Sequence, residues 1–179
     1  MDDRFELRLS GSGGQGLILA GIILAEAAII DGKNAVQSQS YGPEARGGAS
    51  RAEVIISNSE IDYPKVTKPN VLLALSEEAL KKFKDNVSEK GIIIKDSLLS
   101  KIDSPFKIYE LPIIETAQNK IGRAMVANIV ALGVITELTG IVSKEAIETA
   151  ILARVPKGTE ELNKKALYAG FELAAEAKK

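Results

Sequence analysis

The sequence has 179 residues, 45% of them hydrophobic, which is enough for one globular domain with a sizeable core. A formal net charge of −1 provides no basic footprint for nucleic acid. The sequence contains no Cys and no His, which excludes a thiol nucleophile, a cysteine-held iron–sulfur cluster and the commonest general base. No catalytic residue and no metal ligand are therefore predicted, and a binding or subunit function is favoured.

The first elements along the chain are a short strand and an apolar helix. The strand is predicted over residues 5–10, after an acidic start that lacks the basic segment of a secretory signal. The most apolar stretch, residues 16–30, is shorter than the roughly 20 residues of a membrane span and contains Glu26. We therefore expect a buried helix over residues 16–31, no membrane partner and a cytoplasmic location.

Five more strands are predicted downstream, with a short helix among them. The strands are expected over residues 34–40, 49–57, 71–75, 91–96 and 106–111. Continuous apolar runs in two of them are typical of central strands covered on both faces. Ser76 is positioned to cap the helix, and apolar residues recur every four positions at Ala79, Phe83 and Val87.

The character of the sequence becomes helical from Asn119 onward. An apolar helix is predicted over residues 121–139, packed in the core or at a subunit interface. One of its faces is expected to carry Ile121, Met125, Ile129 and Leu132. Asn128 lies within this helix and is expected to be a buried amide with its hydrogen bonds satisfied. Ser143 and Thr159 are expected to begin two further helices.

Alternating strands and helices predict an α/β fold of Rossmann-like character. The expected architecture is a largely parallel sheet flanked by helices, with a helical C-terminus. In this arrangement the first strand, the first helix and the second strand form a β-α-β unit. We expect one domain over residues 1–179, with residues 1–118 as the sheet part and residues 119–179 as its mostly helical part.

The segment "GSGGQG" connects the first strand to the first helix. Gly11, Gly13 and Gly16 have the G-x-G-x-x-G spacing with which many proteins hold a dinucleotide pyrophosphate at a helix N-terminus. Gly14 makes the backbone still easier to approach. The following "AVQSQSYG" has no carboxylate to hold a ribose, which weakens the dinucleotide interpretation. Binding of another phosphate or anion, and a purely architectural turn, remain open.

A second glycine-rich segment, "YGPEARGG", occupies residues 41–48. It combines Tyr41, Arg46, Gly47 and Gly48, and it follows a predicted strand at the sheet edge where α/β proteins bind ligands. An arginine on such a loop suits bidentate contact with a carboxylate or a phosphate. The alternative is a surface loop whose charges are simply solvated.

Together the two segments resemble the gamma subunit of 2-oxoacid:ferredoxin oxidoreductases, with the 2-oxoglutarate or Kor-type branch most similar. The resemblance runs from Leu9 to Ser57 and continues into "GRAMVANIVALGVI", so it covers nearly the whole chain. It implies a single gamma-type domain in a complex that oxidatively decarboxylates a 2-oxoacid, forms an acyl-CoA and reduces ferredoxin. The isolated chain is expected to be inactive.

The resemblance also implies partners and cofactors. Thiamine diphosphate and [4Fe-4S] clusters are expected in partner subunits, which comprise alpha, beta and ferredoxin-like chains, and ferredoxin is expected to reach this chain only through the complex. This chain is expected to bind no cofactor tightly, although contact with coenzyme A is a hypothesis. The candidate contact residues are Gly11, Gly13, Gly14, Gln15, Gly16, Tyr41, Arg46, Gly47 and Gly48.

Two alternatives of other classes are retained. The first is a stand-alone NAD(P)- or flavin-dependent reductase that uses the same glycine loop. The second is a nucleotide-binding regulatory module, which would bind its ligand without an obligate partner. Binding of a nicotinamide cofactor without binding of CoA would favour the first of them.

Overall fold

The computed structural model describes residues 3–40 and 49–179. Its strands are β1 (Phe5–Gly11), β2 (Asn34–Gln39), β3 (Ser50–Ser57), β4 (Val71–Ala74), β5 (Ile92–Asp96) and β6 (Lys107–Leu111). They form a six-stranded sheet in the order β2-β3-β1-β4-β5-β6. Strands β1, β4, β5 and β6 are parallel, whereas β3 is antiparallel to both of its neighbours. The predicted α/β fold is confirmed, with a mixed sheet.

The expected β-α-β unit is wrong in one respect, because β2 does not lie beside β1. Strand β3 separates them, pairing through Ala52 with Leu9 of β1 on one side and with Gln39 of β2 on the other. The side chains explain this order. Ala52 and Val54 are fully buried, as a central strand requires, whereas β2 is only partly buried and polar, which suits an edge.

The helices cover the two faces of the sheet unequally. They are α1 (Leu17–Ile30), α2 (Glu77–Phe83), the single turn α3 (Ile113–Glu115), α4 (Ala127–Thr139), α5 (Lys144–Arg154) and α6 (Glu160–Ala177). Helices α1, α4, α5 and α6 build the larger core with Leu7 and Leu9 of β1. Helix α2 builds a smaller core on the opposite face, around Phe83 and Leu72. Within the described residues, no helix is long and apolar enough to cross a membrane.

The predicted caps on two helices are confirmed. The Ser76 hydroxyl accepts a hydrogen bond from the Ala79 N–H at 3.2 Å, and Ser143 does the same for Ala146 at 3.1 Å. Each bond satisfies a backbone donor that the first helical turn leaves unpaired. Val87 is buried, but it lies beyond the end of α2 at Phe83 and so does not extend the helix.

The apolar helix expected over residues 121–139 begins only at Ala127, so its first turns were predicted wrongly. A π-helical turn, Thr116–Ile121, ends at Gly122, whose φ of 87° is left-handed and cannot continue a helix. A 3₁₀ turn over Ala124–Val126 then leads into α4. Met125 was expected on the buried face and is instead 75% exposed, since this turn rotates it outward.

Helices α4 and α6 approach each other through two glycines. A Cβ atom on Gly133 would lie 2.3 Å from the Leu167 carbonyl oxygen, and one on Gly170 would lie 2.1 Å from the Val130 carbonyl oxygen. Such distances are far below van der Waals contact, so the two backbones touch where the side chains are missing. The close approach fixes the distance between these helices.

A carboxylate on α4 joins three helices at one end of the bundle. Glu137 forms ion pairs with Lys144 of α5 at 2.6 Å and with Lys178, just beyond α6, at 2.9 Å. The hydrogen bond from Lys144, followed by that from Lys178, holds the pKa of the Glu137 carboxyl below its ordinary value. This carboxylate is therefore ionised across the neutral range and anchors both lysines.

Candidate functional site

The glycine loop lies where β1 ends, at the carboxyl edge of the parallel strands. β1 ends at Gly11 and α1 begins at Leu17, so residues 12–16 form the connection. This edge is the usual ligand-binding position of an open α/β sheet. The strand-loop-helix context predicted for "GSGGQG" is therefore present.

Two of the predicted site residues, Gly11 and Gln15, hold the loop in shape. The Gln15 side chain folds back, accepting from the Ser12 N–H at 2.8 Å and donating to the Leu75 carbonyl at 3.1 Å. A Cβ atom on Gly11 would lie 2.2 Å from the Gln15 Oε1 atom. Gly11 is thus required by the position of this side chain, which ties the loop to the end of β4.

Gly16 is required for a different reason. It precedes α1 with a left-handed φ of 72°, and a Cβ atom there would lie 2.5 Å from Asn128 Nδ2. That same amide donates a 3.0 Å hydrogen bond to the Gly16 carbonyl, while its Oδ1 accepts from the Ile129 N–H at 2.9 Å. The expectation that Asn128 is a satisfied buried amide is confirmed, and its partner is the glycine loop itself.

The two central glycines face solvent. Gly14 has a left-handed φ of 86°, which accounts for glycine at that position. Gly13 has no positive φ, and a Cβ atom on it would have no neighbouring atom within 4 Å. Among the glycines of the described residues, Gly13 alone has no steric or conformational reason within the chain. Its lack of a side chain leaves the backbone accessible to something outside.

The start of α1 is suited to an anion. The first intrahelical hydrogen bond runs from the Ala20 N–H to the Gly16 carbonyl at 3.1 Å, so the N–H groups of the preceding turn remain available. Gly16 carries no capping side chain, and the first turn contains no acidic residue. A helix N-terminus of this kind, carrying about half a positive charge, favours phosphate.

The second glycine-rich segment, residues 41–48, lies outside the described residues, and so do its candidates Tyr41, Arg46, Gly47 and Gly48. The residues that flank the segment are described. Ser50 pairs with Gly11 in the sheet, and the Ser40 N–H donates to the Arg51 carbonyl at 3.3 Å. Both ends of the segment therefore lie at the same sheet edge as the glycine loop.

The sheet order adds to the case against a dinucleotide site. In such sites the ribose carboxylate follows the parallel strand next to β1. Here the neighbour of β1 on that side is the antiparallel β3, which begins at this edge with Ser50. At the end of β2, Gln37 and Gln39 hydrogen-bond to each other at 2.9 Å and supply no carboxylate.

A cavity of about 450 Å³ opens beside the loop, between the starts of α1, α4 and α6. Its lining is mainly apolar, with a few polar groups. The residues that line it are Leu19, Arg123, Met125, Val126, Asn128, Ile129, Val155, Pro156, Gly158, Thr159, Leu162 and Asn163. Asn128 links this cavity to the loop, because it also bonds to Gly16. The sequence alone did not predict the cavity, whose walls come from three distant segments.

A polar cluster lies on the opposite face of the sheet. The Arg8 side chain, only 6% exposed, donates to Glu53 Oε2 at 2.7 Å and to Asn86 Oδ1 at 2.7 Å. Its guanidinium also lies 5.0 Å from the centre of the Phe83 ring. These contacts satisfy the buried Arg8 guanidinium and tie β1 to β3 and to Asn86. No cluster of His, Cys, Asp or Glu suited to a metal occurs in residues 3–40 and 49–179.

Comparison with known proteins identifies the family. Residues 6–173 match the family described as pyruvate ferredoxin/flavodoxin oxidoreductase. The chain belongs to this oxidoreductase family. The resemblance predicted from the two glycine segments is therefore confirmed. Over 97% of this chain and 95% of the relative, it is 53% identical to the 2-oxoglutarate synthase subunit KorC of Methanocaldococcus jannaschii.

Solved structures of the oxidoreductase family agree with this assignment. The gamma subunit of a keto/oxoacid ferredoxin oxidoreductase from Geobacter sulfurreducens superimposes with a TM-score of 0.88 and is 54% identical, covering 97% of this chain and 98% of that one. A Magnetococcus marinus 2-oxoglutarate:ferredoxin oxidoreductase with 2-oxoglutarate, coenzyme A and succinyl-CoA bound shares the fold. There the TM-score is 0.86 at 22% identity, covering 98% of this chain and 32% of that one.

Proposed function

We propose that this chain is the gamma subunit of a 2-oxoglutarate:ferredoxin oxidoreductase. The complex decarboxylates 2-oxoglutarate, transfers the remaining acyl group to CoA and passes the released electrons to ferredoxin. Support comes from the KorC relative, which is similar over nearly its full length, and from the gamma subunit with the same fold. The substrate assignment follows the 2-oxoglutarate branch, to which the two glycine segments also pointed.

The chemistry of the chain agrees with a subunit that leaves the redox steps to others. With no Cys and no His, it cannot hold iron–sulfur clusters by thiolates. As the family resemblance implies, we place thiamine diphosphate and the [4Fe-4S] clusters in alpha, beta and ferredoxin-like partners, and the complex in the cytoplasm. The role of this chain is to complete the complex and to contact CoA.

The main support for a contact with CoA comes from Gly13. Its missing side chain is unexplained by the rest of the described structure, and it lies beside a helix N-terminus that favours phosphate. CoA contains a pyrophosphate and does not require a carboxylate at the end of a neighbouring strand. A stand-alone NAD(P) or flavin reductase is disfavoured by the antiparallel β3 and the carboxylate-free end of β2.

The subunit assignment is tested by affinity purification of the tagged full-length chain from its native organism. We expect larger subunits containing thiamine diphosphate and iron–sulfur clusters to co-purify, with 2-oxoglutarate- and CoA-dependent reduction of ferredoxin. Recovery of the chain as a lone species that binds NADH or NADPH at low micromolar concentration, and does not bind CoA, would support the reductase and contradict the proposal.

The loop contact is tested by Gly13→Ala in the same complex. We expect CoA affinity to fall by about ten-fold, because a methyl group would hold the phosphate away from the loop N–H groups. Stability should not decrease, since the new Cβ meets no atom within 4 Å. Ser97→Ala, at the end of a different strand, is the control. Equal CoA affinity in Gly13→Ala and the wild type, measured by equilibrium binding, would refute the contact.

A further inference from the structure

Strand β2 has a partner strand on only one side among the described residues. It stands at the end of the sheet order, next to β3. The Ser40 N–H donates to the carbonyl of Arg51 opposite it, and in an antiparallel pair such ladder bonds recur at every second residue. The N–H and C=O groups of Ala35 and Gln37 therefore point away from β3. No other described residue forms a hydrogen bond with these groups.

This edge also lacks the usual protection against pairing with another strand. Exposed edges normally carry charged side chains, a proline or a bulge. The opposite edge, β6, contains Lys107 and Glu110. Strand β2, with the sequence NAVQSQ, contains no charged residue and no proline, and its register with β3 is continuous over all six residues. Just before β2, Lys33 is held elsewhere, because its Nζ donates to the Ile141 carbonyl at 2.6 Å.

Helix α1 lies above this edge of the sheet. A Cβ atom on Gly21 would lie 3.1 Å from the Cβ atom of Ala52 in β3 and 3.5 Å from the Cγ atom of Gln37 in β2. The helix therefore runs over the boundary between these two strands. Its axis is about one strand spacing, roughly 5 Å, from the midline between β2 and any strand added beside it. A molecule that pairs with β2 must therefore also contact α1.

The outward side of α1 is apolar and incompletely covered. Ile18 and Ile22 are only partly buried, and Ile29 on the same side is 60% exposed. This stripe lies on the helix between Gly21, which contacts β2, and Glu26, which is ion-paired to an arginine of α5. A helix that is apolar on every side is normally covered on every side. The outer side of β2 and the three isoleucines thus form one continuous uncharged surface, the edge surface.

A second copy of the chain fits both parts of the edge surface. When a two-fold axis passes beside Gln37, two β2 strands run antiparallel, and the outward N–H of each Gln37 donates to the Gln37 carbonyl of the other copy. The two α1 helices then lie about 10 Å apart on the same face of one continuous sheet, close to the 8–10 Å at which helices pack. Ile22, next to Gly21 in the helix, lies near the axis and faces the same residue of the second copy.

The absence of charge on the edge surface favours a second copy over a charged partner. Its described residues bring no like charges together across a two-fold axis, whereas a charged segment of another subunit would be buried there without a counter-charge. We propose that two copies of this chain associate through the edge surface, β2 against β2 and α1 against α1. The proposal goes beyond the proposed function, which does not state how many copies the complex contains.

Sedimentation equilibrium of the full chain tests the association. Wild type should sediment as a dimer, with twice the 19.1 kDa mass of the chain. Gln37→Pro removes an outward donor and leaves the bonds to β3, so this variant should fold while the dissociation constant of its dimer rises at least about thirty-fold. Ile22→Glu should also weaken the dimer, because it places two carboxylates near the axis. Leu98→Glu charges a 67% exposed leucine outside the edge surface and should leave the dimer unchanged.

Hydrogen exchange of the Gln37 N–H locates the contact, and it should be slow in the wild-type dimer and fast in Ile22→Glu. Circular dichroism verifies that each variant is folded, and either variant decides the question if the other does not fold. A wild type that is monomeric up to about 100 μM, or a dimer that persists in both variants, overturns the proposal.

A third outcome would also overturn it. If the chain is monomeric alone and the Gln37 N–H is protected only in the assembled oxidoreductase complex, another subunit covers the edge surface. In all these cases the gamma-subunit assignment and the CoA contact are unaffected, because co-purification and CoA binding test them separately.

Discussion

Replacing Gly170 with alanine is expected to lower the free energy of unfolding by about 3 kcal/mol. The new Cβ would meet three backbone atoms, the Val130 carbonyl oxygen at 2.1 Å, the Gly133 Cα at 2.9 Å and the Val134 nitrogen at 3.0 Å. Backbone atoms cannot rotate away as a side chain can, so α4 and α6 must separate. That separation loosens the larger core, and alanine's helix propensity, worth about 1 kcal/mol, offsets only part of the loss.

Urea unfolding followed by circular dichroism measures this effect. Lys165→Ala is the matched control, since it shortens an exposed side chain on the same helix and should change stability by less than about 0.5 kcal/mol. Gly133→Ala should behave like Gly170→Ala, and the double variant should lose less than the sum, because one separation relieves both contacts. A Gly170→Ala variant as stable as wild type would show that the helices are not held at this distance.

Glu53→Gln is expected to cost about 3 kcal/mol, because it removes the charge that neutralises a buried guanidinium. Arg8 is 6% exposed and Glu53 is 13% exposed, so water screens their 2.7 Å contact only weakly. Asn86 and the Phe83 ring still contact Arg8 in the variant, but neither carries a negative charge. The cost is therefore that of leaving a cation buried in the sheet.

A double replacement tests whether the loss comes from the unpaired buried charge. Replacing both residues by methionine should recover much of the stability lost in Glu53→Gln, since two apolar side chains of similar length need no charge partner. Glu172→Gln, which removes a carboxylate paired with Lys120 in an exposed position, is the control and should change stability by less than about 1 kcal/mol. A loss for Glu53→Gln no larger than that of the control would contradict the prediction.

Local patterns predicted most of the fold, and contacts between distant segments account for what they missed. The strand, the glycine loop and helix α1 follow from residues close together in sequence. The start of α4 does not, because the left-handed Gly122 interrupts an apolar pattern that otherwise fits a longer helix. The position of β3 between β1 and β2 depends on which strand is polar enough to lie at the edge of the sheet. That comparison requires the whole sheet and not one segment of sequence.

In the candidate site, too, local sequence predicted some features, and contacts between distant residues determine the others. The spacing of Gly11, Gly13 and Gly16 marked the loop, but it could not show which glycines serve the fold and which remain for a ligand. Gly11 is explained by a side chain four positions later, and Gly16 by Asn128, which is 112 positions away in the sequence. Once those contacts are known, Gly13 is the loop glycine that no contact or backbone angle of the described residues explains.

The antiparallel direction of β3 determines which connection of the sheet can change in length. Strand β3 returns antiparallel beside β2, and the two strands are joined by ladder pairs up to Gln39 with Ala52. Hairpin connections can be lengthened or shortened without shifting the register of the strands they join. The connection between β2 and β3 can therefore change in length while the sheet is kept, and the first loop, held by Gln15 and Asn128, is not affected.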